Sequence, residues 1–570
     1  MTIRIGYQSG RSPFNNVISY LDQHGESQPN KIALKWVDMA TKAAWVADSK
    51  TTLIHKEISY GDLQKRIVAC AAALKEKGLR AGDRVIVFLP MSVEMYVAMF
   101  AVQRLGAISV FLDSWARSHH LGASAKCVEP RAMISFSKAF ELVNPIPEFS
   151  CLEIKVCLDS KPDDGMIPLA SLIASDLTDC PMEPVQSEDT ALITFTTGSS
   201  GTPKGANRTH RFLCAQHEAL QETIAYTDTD VDLPAFPIFS LNNLASGVTT
   251  VLPAIDLAQP SDSDGELLAA QLIAQSCSCA TLSPNMLRLV SAYCEKHGIQ
   301  LERVRRMTTG GAPISKDDVK EFLNIAPESD VMVLYGSTEA EPMAHISGRE
   351  MIALPTNEDP EIIERGVNVG EIYEKLDFKF IRIHRDPVDL AKTPWAELEV
   401  EMGKVGELLV SGDHVCRDYY NNPGAFAKAK IADGEKIWHR TGDLGFLDSD
   451  KRLWIVGRIH NVIERAGECF FPVQAEILLK RISGVKRGAF LGFPCSKLGN
   501  KNVLAVELDS GADVSKVRDE ARRIFRKNEI VVDEFYQVAE IPMDPRHFSK
   551  VEYGILRDKI LEDKSENLWK

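Results

Sequence analysis

Thr194-Phe-Thr-Thr-Gly-Ser-Ser-Gly-Thr-Pro-Lys-Gly205 is the stretch whose reading decides the fold of this chain. The apolar run Ala191-Leu-Ile193 precedes it and Ala206-Asn-Arg-Thr-His210 follows. A short apolar run before a Gly/Ser/Thr-rich segment reads as a buried strand ending in a loop. Gly198, Gly201 and Gly205 let the backbone approach an anion closely. Successive backbone N–H groups can then form an anion-binding concavity. Thr196, Thr197, Ser199, Ser200 and Thr202 add hydroxyl donors, and Lys204 adds a compact positive charge. The chemistry implied is a grip on the phosphates of a nucleotide. The competing reading is a flexible connection, since Gly/Ser-rich segments commonly serve that purpose. The Walker pattern is excluded, because Gly205 follows Lys204 where Ser or Thr is required.

A chain of 570 residues is too long for one ordinary domain. With 45% hydrophobic and 25% charged residues it is a globular protein. A net charge of −14 argues against a nucleic-acid binder. The 12 cysteines have no metal-ligand spacing and read as reduced thiols of a cytoplasmic protein. No signal-peptide pattern is seen at the N-terminus. The most apolar long stretch, residues 85–102, is interrupted by Pro90 and Glu94, so it reads as a strand and a buried helix and not as a transmembrane segment.

Ile58-Ser-Tyr-Gly-Asp-Leu63 opens a helix whose apolar positions Leu63, Ile67, Cys70, Ala71 and Leu74 keep helical spacing and which Gly78 ends. Strands are expected at 83–89 and 108–112, with a helix at 93–105 between them. This alternation predicts a layered α/β fold with parallel strands. Two more β runs feed small-residue loops: Arg306-Met-Thr-Thr-Gly-Gly-Ala-Pro313 and Val331-Met-Val-Leu-Tyr-Gly-Ser-Thr-Glu-Ala-Glu-Pro342. Ligand sites in open α/β sheets lie at the carboxyl ends of strands, so these loops could converge with the first. Residues 350–400 carry no readable chemistry. Beyond them stand Trp438-His-Arg-Thr-Gly-Asp-Leu-Gly445, Leu453-Trp-Ile-Val-Gly-Arg458 and Ile541-Pro-Met-Asp-Pro-Arg-His-Phe-Ser-Lys-Val551.

Taken in order, these strings resemble the motifs of the adenylate-forming superfamily, which includes acyl-CoA synthetases, peptide-synthetase adenylation domains and firefly-type luciferases. The resemblance implies a large N-terminal domain of sheets and flanking helices, residues 1–457, and a small mobile α/β domain, residues 458–570, joined by a hinge. It implies that the loop from Thr196 to Thr202, with Lys204, holds the phosphates of ATP. Gly311, Ala312 and Pro313 would pack on the adenine and Tyr335 would stack on it. In the adjoining Gly336, Ser337 and Thr338, Thr338 would hold the α-phosphate. Glu339, with Thr197, would carry Mg²⁺. Asp443 would bind the ribose, Arg458 would contact the nucleotide, and Lys550 would reach back into the site. Lys550, Thr338, Glu339 and Lys204 are thus the expected catalytic set.

The implied reaction is attack of a carboxylate, expected to be that of a fatty acid-like small molecule, on the α-phosphorus of ATP. It gives an acyl-adenylate and pyrophosphate. Rotation of the small domain would then admit an acceptor. In most members this is the thiol of coenzyme A, so the leading expectation is an acyl-CoA ligase. Some features resemble the β-lactone synthetases of olefin biosynthesis, in which the adenylate of a β-hydroxy acid closes on its own hydroxyl. These are Phe236-Pro-Ile-Phe239 followed by Ser240 instead of His, and Arg546-His547 ahead of Lys550. His460, Glu464 and Gln474 depart from the residues usual in the family, and Cys469-Phe-Phe471 is not typical of the lactone-forming group. Loading of an acyl carrier protein, and a non-catalytic nucleotide-binding scaffold, complete the alternatives.

Overall fold

The structure is a computed structural model that describes residues 16–112, 118–159, 165–197, 203–257, 261, 263–354, 365–543, 551–562 and 566–569. The chain divides into two compact units. The first comprises residues 1–311, 317–343 and 412–427, and the second residues 312–316, 344–411 and 428–570.

In the first unit the runs at 83–89 and 108–112 become the parallel strands Arg84–Val87 and Ile108–Phe111. They lie inside a seven-stranded sheet ordered Ile167–Pro168, Ile154–Cys157, Ala132–Ser135, Arg84–Val87, Ile108–Phe111, Thr190–Thr197, Pro203–Thr209. All neighbours are parallel except the last pair, a hairpin. A second set of strands runs Asp330–Ser337, Arg306–Gly310, Cys279–Leu282, Val231–Pro234, Thr249–Val251, Ile32–Trp36, Lys56–Ser59. It too is parallel until its final, antiparallel pair. Parallel strands need crossover connections, which here are mostly helices.

The helix Tyr60–Glu76 buries Leu63, Ile67, Cys70, Ala71 and Leu74, the stripe its spacing predicts. The Ser59 side chain caps it by accepting from the Asp62 N–H at 3.2 Å, and Gly78 follows it at φ +92°. The helix Val93–Arg104 is apolar on nearly every side because it is buried on nearly every side. Among the described residues no helix is long and apolar enough to cross a membrane.

The second unit contains an antiparallel sheet ordered Asp377–Ile381, Gly406–Ser411, Lys436–Leu447, Arg452–Arg458, Val367–Ile372, the last of which pairs with Ala344 and His345. After Arg458 a single 3₁₀ turn, Ile459–Asn461, leads into a smaller sheet built on the long hairpin Val485–Cys495 and Gly499–Leu508. Successive residues of a strand face opposite sides, so this hairpin feeds two cores. Phe490, Leu504 and Val506 pack with the helices Pro472–Lys480 and Val514–Lys527. Leu491, Val503 and Ala505 pack with the helix Tyr553–Glu562.

Two carboxylates are buried in the first unit at the strand Val231–Pro234, Asp230 just before it and Asp232 within it. Burial acts to raise the pKa of Asp230. Hydrogen bonds from the Thr227 N–H, Arg306 and the Ser278 hydroxyl outweigh that and hold it below the usual range. Asp232 is fully buried and has only neutral donors, the Tyr226 hydroxyl at 3.0 Å and the Asn243 amide at 2.7 Å. Burial pushes its carboxyl up to about 6 from 3.8. A raised carboxyl pKa adds stability that is full below the unfolded value and is lost as pH rises through the folded one. The loss from pH 5 to pH 8 is about 1.4 kcal/mol, the equivalent of one pKa unit. Asp232→Asn removes this loss, so its urea-unfolding midpoint relative to wild type is expected to be higher at pH 8 than at pH 5.

Candidate active site

The hairpin Thr190–Thr197 and Pro203–Thr209 sets Thr196 opposite Lys204 and Thr197 opposite Pro203. Gly198, Ser199, Ser200, Gly201 and Thr202 lie outside the described residues, as do the side chains of Thr196 and Thr197 and the whole of Lys550. Gly205 sits opposite Phe195, and a Cβ there would come within 2.9 Å of Ile193 and 3.1 Å of the Phe195 ring. This glycine therefore serves close packing of the hairpin, whereas Gly311, at φ +78°, serves backbone conformation.

A third segment completes the hairpin. Ala206 forms a bridge with Tyr419, and the Tyr420 N–H donates to the Gly205 carbonyl at 2.9 Å. This places the Tyr419 ring 5.8 Å from Lys204 Nζ, within cation–π range. The buried Tyr419 hydroxyl donates to Glu339 Oε1 at 2.8 Å. Burial, and then the Glu339 carboxylate, push the phenol pKa far above its ordinary value, so it remains a donor at any working pH.

Thr338 and Glu339 form the two-residue link between the strands Asp330–Ser337 and Ala340–Ser347. The link is held at several points. Arg208 Nη2 donates to the Thr338 carbonyl at 2.8 Å, and the Cys416 N–H to the Glu339 carbonyl at 2.7 Å. The Glu339 N–H reaches the Ser337 hydroxyl at 3.3 Å. Gly336 packs against Glu341, leaving no room for a Cβ, which would lie 2.9 Å from its side chain. Burial pushes the Glu341 carboxyl up to about 7 against the opposing pull of Arg208. Arg208 is itself buried, with its guanidinium 5.5 Å from the Phe212 ring. Tyr335 lies half-buried near the end of its strand, and a Cβ on Gly311 would be 3.8 Å from the Phe236 ring. The first unit thus assembles Lys204, Thr338 and Glu339 around Tyr419 and Arg208, two residues that no motif reading assigned.

The second unit contains Ala312 and Pro313 and brings together another pair. Asp443 lies within the strand Lys436–Leu447, not in a turn, although Gly442 precedes it at φ +72°. It is directly opposite Arg458, whose Nε is 2.9 Å from Asp443 Oδ1. Thr441 Oγ1 accepts from the Asp443 N–H at 3.0 Å. The strand is anchored by Arg440, which pairs with Glu407 at 2.6 Å in a buried site and donates to the Asp386 carbonyl at 2.8 Å. His460 follows; burial and then the Arg458 charge lower its pKa, against the pull of Asp443. Glu464 pairs with Arg385 at 2.9 Å. On either side of the segment containing Lys550, Met543 and Val551 form a bridge, and the Tyr553 hydroxyl donates to Glu476 at 2.6 Å.

A family model for AMP-binding enzymes matches residues 21–420. The chain belongs to the AMP-binding enzyme family. It is an adenylate-forming enzyme, as the motif order implies. Among the relatives of this AMP-binding enzyme, an olefin β-lactone synthetase of Stenotrophomonas maltophilia is 30% identical over 547 residues, covering 94% of this chain and 96% of its own length. A 4-coumarate:CoA ligase of Petunia hybrida is 25% identical over 506 residues, covering 85% and 86%. The solved structure of ATP-bound MatB from Rhodopseudomonas palustris shares the fold with a TM-score of 0.76 at 20% identity, covering 98% of this chain and 100% of its own.

A hydrogen bond to a charged group contributes about 1.5–3 kcal/mol, and each 1.4 kcal/mol is tenfold in rate. Tyr419→Phe keeps the ring beside Lys204 and deletes only the donor to Glu339. It is expected to lower kcat/KM for ATP about tenfold or more in a pyrophosphate-exchange assay. An unchanged value would detach Tyr419 from the chemistry.

Proposed function

We propose that this enzyme uses ATP and Mg²⁺ to activate a β-hydroxy carboxylic acid, and that the adenylate then closes on the acid's own hydroxyl. In the first step a carboxylate oxygen bonds to the α-phosphorus and the bond to pyrophosphate breaks. In the second the β-hydroxyl oxygen bonds to the acyl carbon, AMP leaves with its bridging oxygen, and the hydroxyl proton passes to solvent. The observation that carries this reading is near-full-length similarity to olefin β-lactone synthetases at 30% and 29% identity.

Two anions must meet in the first step, so catalysis rests on positioning and on preorganised positive charge. In this reading the 196–202 loop and Lys204 hold the phosphates, and Thr338 holds the α-phosphate on a link braced by Arg208. Gly311, Ala312, Pro313 and Tyr335 enclose the adenine, and Asp443, oriented by Arg458, takes the ribose. Lys550 bridges carboxylate and phosphate oxygens. It binds the transition state more tightly than the ground state, which is the requirement for raising kcat.

The donor set fits Mg²⁺ carried in on phosphates, because such an ion uses one or two protein carboxylates and fills its shell with phosphate and water. Glu339, its carboxylate oriented by Tyr419, would hold the ion together with Thr197. When bound, the ion neutralises charge on the phosphate oxygens. Among the described residues no cluster of three or more His, Cys, Asp or Glu could hold a metal without such help. In this reading residues 458–570 move as the small domain between the two steps. Transfer to coenzyme A is the second reading, favoured by similarity to 4-coumarate:CoA ligases at 25% identity.

Mass spectrometry of products from fatty and β-hydroxy fatty acids, with ATP and Mg²⁺ and with or without coenzyme A, separates the readings. A product one water lighter than the β-hydroxy acid, formed without coenzyme A, is expected. A thioester formed only with coenzyme A would replace the proposal with the ligase reading, and adenylate alone would point to a carrier protein. Lys550→Ala is expected to lose pyrophosphate release at least a hundredfold, the scale of a lost transition-state contact of about 2.7 kcal/mol. It should still convert synthetic acyl-adenylate, and equal loss of both half-reactions would remove Lys550 from its assigned role.

A further inference from the structure

Four helices of the first unit, Ser19–Ser27, Val93–Arg104, His210–Ile224 and Pro237–Ala245, line a cavity of about 40 Å³. Its walls are mostly aliphatic and aromatic, with Leu21 and Phe100 among them, yet Gln103, Gln216, His217 and Asn242 also line it. Their exposures are 1%, 1%, 5% and 4%. Leaving a buried polar atom unmet costs about 1–3 kcal/mol. Three amide atoms on this wall have no partner: Gln103 Oε1, Gln216 Oε1 and Asn242 Nδ2.

The opposite ends of two of these amides are occupied, which fixes what they present. Gln216 Nε2 donates to the Glu341 carbonyl at 3.3 Å, so the oxygen is the atom left without a partner. Asn242 Oδ1 lies 2.8 Å from His217 Nδ1, and burial keeps that imidazole neutral by lowering its pKa to about 4. With Nδ1 carrying the proton, the Asn242 amide nitrogen is left as a donor. The wall therefore offers acceptors and a donor together, the complement of a hydroxyl group. At about 40 Å³ the space exceeds the roughly 10–15 Å³ that a water-sized group requires, so it admits a hydroxyl.

The cavity adjoins the nucleotide motifs without being lined by them. Gln216 contacts the carbonyl of Glu341, two residues past Glu339. The Pro237–Ala245 helix starts immediately after Phe236, whose ring lies beside Gly311. Neither Gly311, Tyr335 nor Thr338 lines the cavity.

We infer that this cavity is a recess for a second, non-reacting hydroxyl on the hydrocarbon chain of the acid, read by Gln103, Gln216 and Asn242. The inference rests on the carboxylic-acid reading above and adds to it a substrate class: chains oxygenated away from the carboxyl end.

Calorimetric titration of full-length enzyme with fatty acids of one length, unsubstituted or carrying a single hydroxyl at successive positions, tests the recess without requiring turnover. One hydroxyl position is expected to bind at least tenfold more tightly than the unsubstituted acid. Gln103→Leu and Asn242→Leu should each abolish that preference while binding the unsubstituted acid as well as wild type or better. Equal binding of all acids by wild type overturns the recess, as does a parallel loss for both acid types in both variants, which would mark the amides as packing or water-holding groups. Gln103→Met provides a second apolar replacement if Gln103→Leu does not fold. Pyrophosphate release, read separately, tests activation of the acid, so the two readings fail in different assays.

Discussion

The buried phenol of Tyr419 is the contact on which the candidate site in the first unit depends. Three segments far apart in sequence meet there: the hairpin strand bearing Lys204, the link bearing Glu339, and the 415–420 stretch itself. Its ring faces a cation and its hydroxyl faces an anion, so one side chain sets the spacing between two charges of opposite sign. A shorter aliphatic residue would leave Glu339 without its donor and Lys204 without its platform. Backbone pairing at Ala206 and Gly205 fixes the ring before any ligand is considered.

Arg208 performs the corresponding task one turn of strand away. Burying a guanidinium is costly unless it is hydrogen-bonded and compensated. Here it donates to the Thr338 carbonyl and lies in the field of Glu339 and Glu341. One buried cation facing two carboxylates leaves a surplus of negative charge beside the link. Burial of Glu341 partly relieves this surplus by favouring its neutral form.

Much of the fold was legible because period and punctuation agree. The helix Tyr60–Glu76 and the strands on either side of Val93–Arg104 follow from spacing and from Gly78. The site motifs were legible as strings, and the structure places Lys204, Thr338 and Glu339 in one unit and Asp443 with Arg458 in the other. Less was visible where assembly, not local pattern, decides. Phe236-Pro-Ile-Phe239 reads as pocket or core, whereas Pro237 starts a helix that carries Asn242 to the cavity wall. Within residues 350–400, Val367–Ile372 and Asp377–Ile381 are strands whose mixed burial comes from antiparallel partners distant in sequence. Tyr419 and Arg208 sit in unremarkable local sequence, and their importance comes only from what the fold brings against them.

The seven-stranded sheet of the first unit ends in two unlike ways. One border is the two-residue strand Ile167–Pro168, where a proline withholds an N–H from any newcomer. The other is Pro203–Thr209, opened by a proline and overlaid at Ala206 by the main chain of Tyr419. The strand that presents Lys204 is therefore also the rim that stops the sheet from recruiting a strand of another molecule. Loosening the 415–420 segment would uncover a row of amides and carbonyls able to pair with a neighbour, so the residues that brace Lys204 also guard the border of the sheet.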